Sequence, residues 1–273
     1  MKHLNIFIEF IPKFKTGLFI SLVTISSMLK ADLPLFWWQP THGSNFGDEL
    51  SKVLIEKMID RSIHKSDEKT PKLLAIGSII HFAKDGDIIW GSGINGKHLD
   101  KKDYPFSKLD IRAVRGPLTR NFLIDLGFTV PEIYGDPALL LPYFFPEFKK
   151  NPVRDYLIIP HISEMHFFRP SSHIALPTEP WHQIVQKIVE SKKVISSSLH
   201  GVIVAEAFGI PAILLRLTDH EPLFKFTDYY QGTGRNEFKY ARSIKEAHNM
   251  PANPGPIWDL EALLEAFPYK FFQ

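Results

Sequence analysis

Residues 195–211 read ISSSLHGVIVAEAFGIP, and this stretch decides the fold class of the chain. An apolar strand enters a serine-rich turn, a helix of small apolar residues begins near Gly201, and Gly209-Ile-Pro211 ends that helix before the next apolar run. Two strands joined by a helix in this order are typical of a parallel sheet. The stretch therefore predicts an α/β fold in which helices cover a buried sheet.

The same alternation of strand and helix extends along the chain from residue 35. Short apolar runs bounded by Gly, Pro or Ser predict buried strands at Leu35–Trp38, Leu73–Ile76, Ile88–Trp90, Ile111–Val114, Tyr156–Ile159, Val194–Ile195 and Ala212–Leu215, with a weaker run at Glu132–Tyr134. Apolar residues spaced three and four apart predict helices at Glu49–Ile59, Leu118–Leu126, Trp181–Val189, Val202–Phe208 and Leu260–Phe267. This alternation indicates parallel sheets with helices on both faces.

The length of the chain and a break near its middle indicate two domains. The 273 residues exceed one average domain of ~150 residues. Prolines and an asparagine interrupt the predicted elements at positions 142, 146, 151 and 152. We therefore predict Rossmann-like domains over residues 35–148 and 149–273, preceded by an apolar and basic segment over residues 1–34.

Both ends of the chain carry apolar segments edged with lysines. Leu18–Leu29 contains 12 residues, fewer than the ~20 needed to cross a bilayer. Together with the aromatic ending Phe267–Gln273, it is suited to a bilayer interface. We interpret it as a helix that packs on the domains or contacts an anionic membrane surface. A cleaved signal peptide and a spanning helix are the alternatives, although Lys30-Ala31-Asp32 offers no cleavage site.

The composition excludes several classes of protein. Hydrophobic residues form 44% of the chain and charged residues 23%, which excludes global disorder. The chain has 32 Lys and Arg residues and 30 Asp and Glu residues, which gives a net charge of +2. A charge this small does not indicate a nucleic-acid-binding protein. The chain has no cysteine, which excludes disulfides, a thiolate nucleophile and a cysteine-ligated metal. The remaining residues show no spacing typical of metal ligands, so we expect no metal site.

Small, polar and ionisable residues follow most of the predicted strands. They lie at Gly77-Ser78, Gly91–Gly93, Arg115–Pro117, Gly135–Pro137, Pro160-His161 and Ser198–Gly201. In open α/β sheets, ligands bind at the carboxyl ends of the strands. These segments are therefore candidate ligand-binding loops.

The glycine-rich segment Gly91–Lys97 matches a dinucleotide-binding fingerprint and most of a phosphate-binding loop. However, His98 stands where that loop needs Ser or Thr, and the residues after it do not predict a helix. We interpret the segment as the turn of an active site rather than as a nucleotide site.

Two segments place ionisable side chains near predicted helix starts. Asn45 and Asp48 can cap the first helix, and Asp48 can also face the crevice. Arg112 and Arg115 are three residues apart at a strand end, so they point to opposite faces and one of them is structural. Arg115, beside a helix start, suits a phosphate or carboxylate. A surface salt bridge is the alternative.

His200 lies between a strand and a helix, two residues after the last of the three hydroxyls of Ser196–Ser198. An imidazole in such a turn can exchange protons with a ligand near neutral pH. The alternative is a histidine that is buried in the core and has no chemical role.

The order of these motifs resembles the polysaccharide pyruvyltransferase family. The matching segments are Asn45–Leu50, Gly91–Gly93, Val114–Thr119, Gly135–Leu139, Ser197–Pro211 and Phe224–Tyr230, and they span about residues 36–231. The resemblance implies a fold similar to the glycosyltransferase-B arrangement, with the active site in the cleft between two Rossmann-like halves. It also implies transfer of the enolpyruvyl unit of phosphoenolpyruvate to a sugar of a bacterial surface polysaccharide or its lipid-linked precursor, which yields a pyruvate ketal and phosphate.

The resemblance also implies roles for individual residues. His200 becomes the general acid or base, Arg115 holds phosphoenolpyruvate, and Asp48 is the family's early aspartate. Further substrate-binding residues are implied at Asn45, Gly47, Ser92, Gly93, Arg112, Asp136, Ser197, Ser198, Leu199 and Lys225. Ser198 stands where some members have a donor-binding arginine, so a second cation must come from elsewhere, with Arg112, Lys225 and Arg216 as the candidates.

The resemblance implies no cofactor apart from phosphoenolpyruvate as donor substrate, no nucleic-acid partner, and a cytoplasmic location with peripheral contact at the inner face of the membrane. Two other classes of function stay open. A glycosyltransferase that uses a sugar nucleotide predicts nucleotide binding in the second half. A non-catalytic carbohydrate-binding protein needs neither Arg115 nor His200.

Overall fold

The computed structural model describes residues 33–41, 43–66 and 71–272, which form two four-stranded sheets. In each sheet the strand order follows the chain and every neighbouring pair is parallel. The first sheet contains β1 (Leu35–Phe36), β2 (Leu73–Leu74), β3 (Ile88–Trp90) and β4 (Asp110–Ala113), and the second contains β5 (Leu157–Ile159), β6 (Val194–Ser196), β7 (Ala212–Leu215) and β8 (Tyr240–Ala241). This arrangement confirms the predicted α/β fold with two Rossmann-like halves. The division into domains at residues 148 and 149 stays a prediction.

Helices connect and cover the strands. They are α1 (Phe46–Ile59), α2 (Pro117–Asp125), α3 (Leu141–Phe144), α4 (Trp181–Val189), α5 (Leu199–Ala207), α6 (Phe224–Gly232), α7 (Ile244–Asn249) and α8 (Leu260–Glu265). Short 3₁₀ turns also form, at Ile80–Phe82 after β2 and at Pro137–Leu140 before α3. Within the described ranges, every helix is too short or too polar to cross a bilayer.

The structure differs from the sequence predictions at the weaker elements. Glu132–Tyr134 forms an isolated parallel bridge between Tyr134 and Val114 rather than a strand. The sequence patterns also do not predict β8, α3, α6 or α7. Strand β8 contains two residues, too few for an apolar pattern. Helix α6 buries Lys225 and Asp228 beside aromatic residues, so it shows no clear apolar stripe.

The turn between β6 and α5 places the first helical residues against the end of the strand. Ser198 has an extended backbone and serves as N-cap, so α5 begins at Leu199, three residues earlier than its apolar pattern predicts. A side chain at Gly201 would overlap the Ser196 hydroxyl, which shows why glycine is needed where the helix approaches β6. As a result, His200 lies in the first turn of α5.

The chain after residue 259 returns to the first sheet. The Trp90 indole on β3 donates a hydrogen bond to the Leu263 carbonyl at 2.8 Å, and the ring packs edge-on against Phe267 at a centroid distance of 4.8 Å. Phe267 and Phe272 are buried. The aromatic ending therefore packs on the fold, as the alternative to a membrane contact expects, whereas Leu18–Leu29 lies outside the described residues.

Helices α2 and α6 join the two halves through a buried ion pair. Arg115 Nε, just before α2, lies 3.0 Å from Asp228 Oδ2 on α6, and both side chains are 0% exposed. Asp228 also accepts hydrogen bonds from the backbone N–H of Thr119 at 2.9 Å and from its hydroxyl at 2.7 Å. A side chain at Gly116 would overlap the Asp228 carbonyl, and one at Gly232 would overlap the Arg115 carbonyl. Two glycines therefore allow the backbones to meet.

Replacement of Gly232 by alanine tests this close approach. Because the added methyl meets backbone atoms that cannot rotate away, Gly232→Ala should lower the free energy of unfolding by about 1–3 kcal/mol. Urea unfolding followed by circular dichroism measures the change. Gly255→Ala is the matched control, since a methyl there meets no atom within 4 Å. Equal unfolding midpoints for the two variants would contradict the packing.

Candidate active site

A cavity of about 290 Å³ lies beyond the carboxyl ends of the strands of both sheets. Residues that follow β1, β2 and β3 line one part of it, and residues that follow β5, β6 and β7 line the other. This is the edge at which parallel α/β sheets bind ligands. The lining residues are Trp38, Asn45, Asp48, Ser78, Ile79, His81, Phe82, Asn95, Lys97, His161, Ser198, Leu199, His200, Glu221 and Lys225.

His200 on α5 faces a buried carboxylate. Its Nε2 atom lies 3.6 Å from Asp136 Oδ2, and neither atom has a hydrogen-bond partner among the described residues. The other oxygen, Asp136 Oδ1, accepts a hydrogen bond from the Ala138 backbone N–H at 3.0 Å, which holds the carboxylate in place. A carboxylate held at this distance can orient the imidazole. The two halves of the protein thus each supply one member of the pair.

The imidazole of His200 packs against the start of α1. A side chain at Gly47 would overlap the Nδ1 and Cγ atoms of His200. Gly47, predicted as a substrate-binding residue, therefore has a visible role in leaving room for the imidazole.

Asp48 lies in the same turn of α1 and is 8% exposed. Burial raises the pKa of Asp48 to about 6, although the charge of His200 and a hydrogen bond from Asn45 oppose the increase. The Asn45 amide donates to Asp48 Oδ2 and does not cap the helix with its side chain. Asp48 can therefore change its protonation state near neutral pH.

Four side chains form a charged cluster in the cavity: Lys97 from the first half and His161, Glu221 and Lys225 from the second. The Glu221 carboxylate accepts from Lys97 Nζ at 2.5 Å and from Lys225 Nζ, and lies 3.7 Å from His161 Nε2. Burial favours the neutral carboxyl, but the charges of Lys225 and His161 together with hydrogen bonds from both lysines lower the pKa of Glu221 to about 2. Burial also lowers the pKa of Lys225, an effect that Glu221 opposes.

The pKa of His161 falls to about 4, first because of burial and then because of the charge of Lys225. At neutral pH its imidazole is therefore uncharged. Two ammonium groups share one carboxylate, which makes the charged cluster attractive to an anion.

The serines before α5 shape the adjacent part of the cavity. Ser196 Oγ accepts a hydrogen bond from the Ser198 backbone N–H at 3.0 Å, and Ser197 Oγ accepts one from the His161 backbone N–H at 2.8 Å. Ser198 and Leu199 line the cavity, and the Ser198 side chain makes no capping bond to α5. The N-terminal N–H groups of α5 add a partial positive charge beside the charged cluster.

Arg115 lies behind the cavity rather than in its lining. Besides its ion pair with Asp228, its guanidinium donates to Ser78 Oγ at 2.5 Å and to the Ile94 carbonyl at 2.7 Å. A side chain at Gly93 would overlap the guanidinium, and the buried Ser92 hydroxyl donates to the Gly77 carbonyl at 2.8 Å. Gly93 and Ser92 therefore support the loops behind the cavity.

Arg112 lies apart from the cavity. Its guanidinium forms two hydrogen bonds of 2.8 Å with the carboxylate of Asp110. The other arginine considered as a second cation, Arg216, is buried and lies 2.9 Å from Asp219 Oδ1. Of the three candidate cations, Lys225 is the one that lines the cavity.

Several cavity residues were missed by the sequence predictions. His161 and Lys97 each lie in a loop that the strand pattern singled out, and Trp38 ends the first predicted strand. His81 and Glu221 also line the cavity, although no pattern in the sequence singles them out. Within the described part of the chain, no three His, Asp or Glu side chains cluster in a way that suits a metal ion.

Comparison with known proteins gives two sequence relatives. The chain is 29% identical over 248 residues to the uncharacterized protein L143 of Acanthamoeba polyphaga mimivirus. This alignment covers 81% of this chain and 84% of that protein. It is 27% identical over 212 residues to the succinoglycan biosynthesis protein ExoV of Rhizobium meliloti (strain 1021). This second alignment covers 73% of this chain and 64% of that protein. The match thus spans just under two thirds of the length of ExoV.

A crystal structure of the functionally uncharacterized protein KP1_0663 from Klebsiella pneumoniae subsp. pneumoniae NTUH-K2044 aligns with 72% of this chain and 87% of that chain, with a TM-score of 0.42 and 14% identity. The polysaccharide pyruvyl transferase family matches residues 45–219, from the start of α1 to the loop after β7. That segment is more than half of the chain and contains Asp48, Asp136 and His200. The chain therefore belongs to the polysaccharide pyruvyl transferase family.

Proposed function

We propose that the protein transfers the enolpyruvyl unit of phosphoenolpyruvate to two hydroxyls of a glycan, which forms a pyruvate ketal and releases phosphate. The observation that carries this proposal is that His200, which is paired with the buried Asp136, lines the same cavity as a charged cluster suited to an anion. Family membership supports it, and the relative ExoV is named for succinoglycan biosynthesis.

The donor is expected to bind at the charged cluster. Phosphoenolpyruvate carries a phosphate and a carboxylate, and Lys97, Lys225 and the N-terminus of α5 offer donors for both groups. In the free protein, Glu221 occupies both ammonium groups. Binding of the donor therefore requires that its oxygens replace part of the Glu221 contacts.

His200 is assigned the proton transfer to the donor. A proton moves from its imidazolium to the methylene carbon of phosphoenolpyruvate, and positive charge develops at the carbon that bears the phosphate oxygen. An acceptor hydroxyl oxygen then bonds to that carbon and loses its proton to the Asp48 carboxylate. The carbon–oxygen bond to phosphate then breaks, and the leaving phosphate takes the proton from Asp48. The second hydroxyl oxygen bonds to the same carbon and closes the ketal, and its proton passes to His200, which restores the imidazolium. Asp136 holds the imidazole in place throughout.

Arg115 is assigned a positioning role in this proposal, in place of the direct donor contact that the resemblance implies. Its guanidinium is engaged by Asp228, Ser78 and the Ile94 carbonyl. It thereby fixes the loops after β2 and β3, which line the cavity.

The acceptor is expected to be a sugar of a bacterial surface polysaccharide or of its lipid-linked precursor. A lipid-linked acceptor gives a reason for peripheral contact with the inner face of the membrane.

The test of the function is release of phosphate from phosphoenolpyruvate by the full chain when candidate glycans are present. Mass spectrometry should show a glycan that has gained one pyruvate and lost one water. Transfer of a sugar from a nucleotide donor, without such a product, would contradict the proposal.

Removal of the imidazole should leave the fold intact and reduce turnover. His200→Ala is expected to lower kcat about 10²–10⁴-fold, the usual contribution of a general acid or base. Phosphate release measures the rate, and circular dichroism checks the fold. The control is His64→Ala, which removes an exposed histidine outside the cavity. A folded His200→Ala enzyme with wild-type turnover would show that another group transfers the proton.

The pH dependence of kcat/KM should report Asp48. Below its pKa of about 6 the carboxyl is mostly protonated and cannot accept a proton, so activity should rise as the pH increases through about 6. Asp48→Asn should remove this rise and lower the maximal rate. Asp125→Asn, a change at an exposed aspartate outside the cavity, should leave the profile unchanged. Persistence of the rise in Asp48→Asn would assign it to a different group.

A further inference from the structure

One face of the cavity has no part in the chemistry proposed above. It is formed by Trp38, Ile79, His81, Phe82 and Asn95, which follow β1, β2 and β3, and we call it the aromatic face. It contains three aromatic or imidazole rings and one aliphatic side chain. Pockets of this composition bind ligands by their apolar surface and orient them through a few polar groups.

His81, whose ring is part of the aromatic face, also carries an unpaired polar atom. Its Nδ1 atom is buried and has no hydrogen-bond partner among the described residues. The ring stacks on His98 with a centroid distance of 4.5 Å and an interplanar angle of 15°, which fixes its orientation. Burial, together with the charge of His98, lowers the pKa of His81 to about 4. At neutral pH the ring is therefore uncharged.

Asn95 presents a second unpaired atom. Its Oδ1 atom is buried and likewise lacks a hydrogen-bond partner among the described residues. A buried polar atom without a partner is unfavourable in a folded protein unless a bound molecule supplies one. Both unpaired atoms belong to side chains that line the cavity.

The chemistry of the aromatic face selects a neutral ligand. Its residues carry no charge at neutral pH, and the neighbouring Lys97 is engaged by Glu221 at 2.5 Å. An anionic group would find no counter-charge there. A pyranose ring matches the face, because its C–H surface can pack on an indole while its hydroxyls can both donate and accept hydrogen bonds.

We propose that Trp38, His81 and Asn95 form the acceptor subsite and bind a neutral pyranose residue in preference to a uronic acid. The sugar ring packs on Trp38, and its hydroxyls pair with His81 Nδ1 and Asn95 Oδ1. This inference rests on the proposed function for the identification of the ligand as the acceptor. With the donor at the charged cluster and the acceptor at the aromatic face, the reacting carbon and hydroxyl meet beside Asp48 and His200.

Binding of a neutral sugar, with inorganic phosphate present to fill the charged cluster, tests the subsite. Saturation-transfer NMR with the full chain should detect methyl β-galactopyranoside, and methyl β-galacturonide should give a signal at least several-fold weaker. Trp38→Ala should abolish the signal of the neutral probe. Tyr143→Ala removes an exposed ring outside the cavity and should retain that signal. Equal signals for the two probes, or a full signal from folded Trp38→Ala, would overturn the proposal.

His81→Phe provides a second variant that keeps the ring stack on His98 and removes the unpaired nitrogen. Loss of one hydrogen bond should weaken probe binding roughly 3- to 10-fold. Unchanged binding in this variant would remove His81 from the subsite.

The proposed function has a separate outcome. If the probe binds at Trp38 but no pyruvate is transferred, the sugar subsite stands and the proposed function fails. If pyruvate is transferred with the same acceptor KM in Trp38→Ala, the subsite fails and the function stands.

Discussion

The buried ion pair between Arg115 and Asp228 is the constraint on which the arrangement of the two halves depends. A charge removed from water is costly unless an opposite charge and further hydrogen bonds satisfy it. Here the two partners lie 113 residues apart in the sequence and meet only when α2 packs on α6. Because neither charge can be buried without the other, the packing of α2 on α6 holds the two halves in one arrangement. The same guanidinium holds the Ser78 and Ile94 loops, so the position of the cavity wall depends on the same contact.

The cavity distributes its chemical groups between the two halves. The imidazole of His200 comes from α5 of the second half. The two carboxylates near it belong to the first half, where Asp48 lies on α1 and Asp136 directly precedes the turn Pro137–Leu140. Lys97 and Glu221 pair across the same boundary. A change in the position of either half would therefore separate His200 from the two carboxylates. The same change would separate Lys97 from Glu221. The site is therefore a property of the assembled pair of sheets, and neither half contains it alone.

Local patterns in the sequence predict much of this fold, because strands buried on both faces and helices with one apolar stripe leave clear spacings. Ile88–Trp90, Trp181–Val189 and Ala212–Leu215 agree with the structure residue by residue. Helix α6 does not follow such a pattern, because contacts with distant residues stabilise it. The turn around His200 could be predicted for the same reason, because it lies between a strand and a helix with local patterns. The burial of Arg115 could not be predicted, because its partner Asp228 lies on an element that the sequence pattern does not predict.

The contact of Trp90 with α8 has a consequence for the order in which the protein can fold. The Leu263 carbonyl that accepts the indole hydrogen bond lies 173 residues beyond Trp90. During synthesis, β3 leaves the ribosome long before α8 exists, and its tryptophan stays without its hydrogen-bond partner and without the Phe267 ring. The first half therefore cannot complete its packing as an independent unit while the chain is growing. Its final consolidation waits for the second half to be made, so the two halves mature together rather than one after the other.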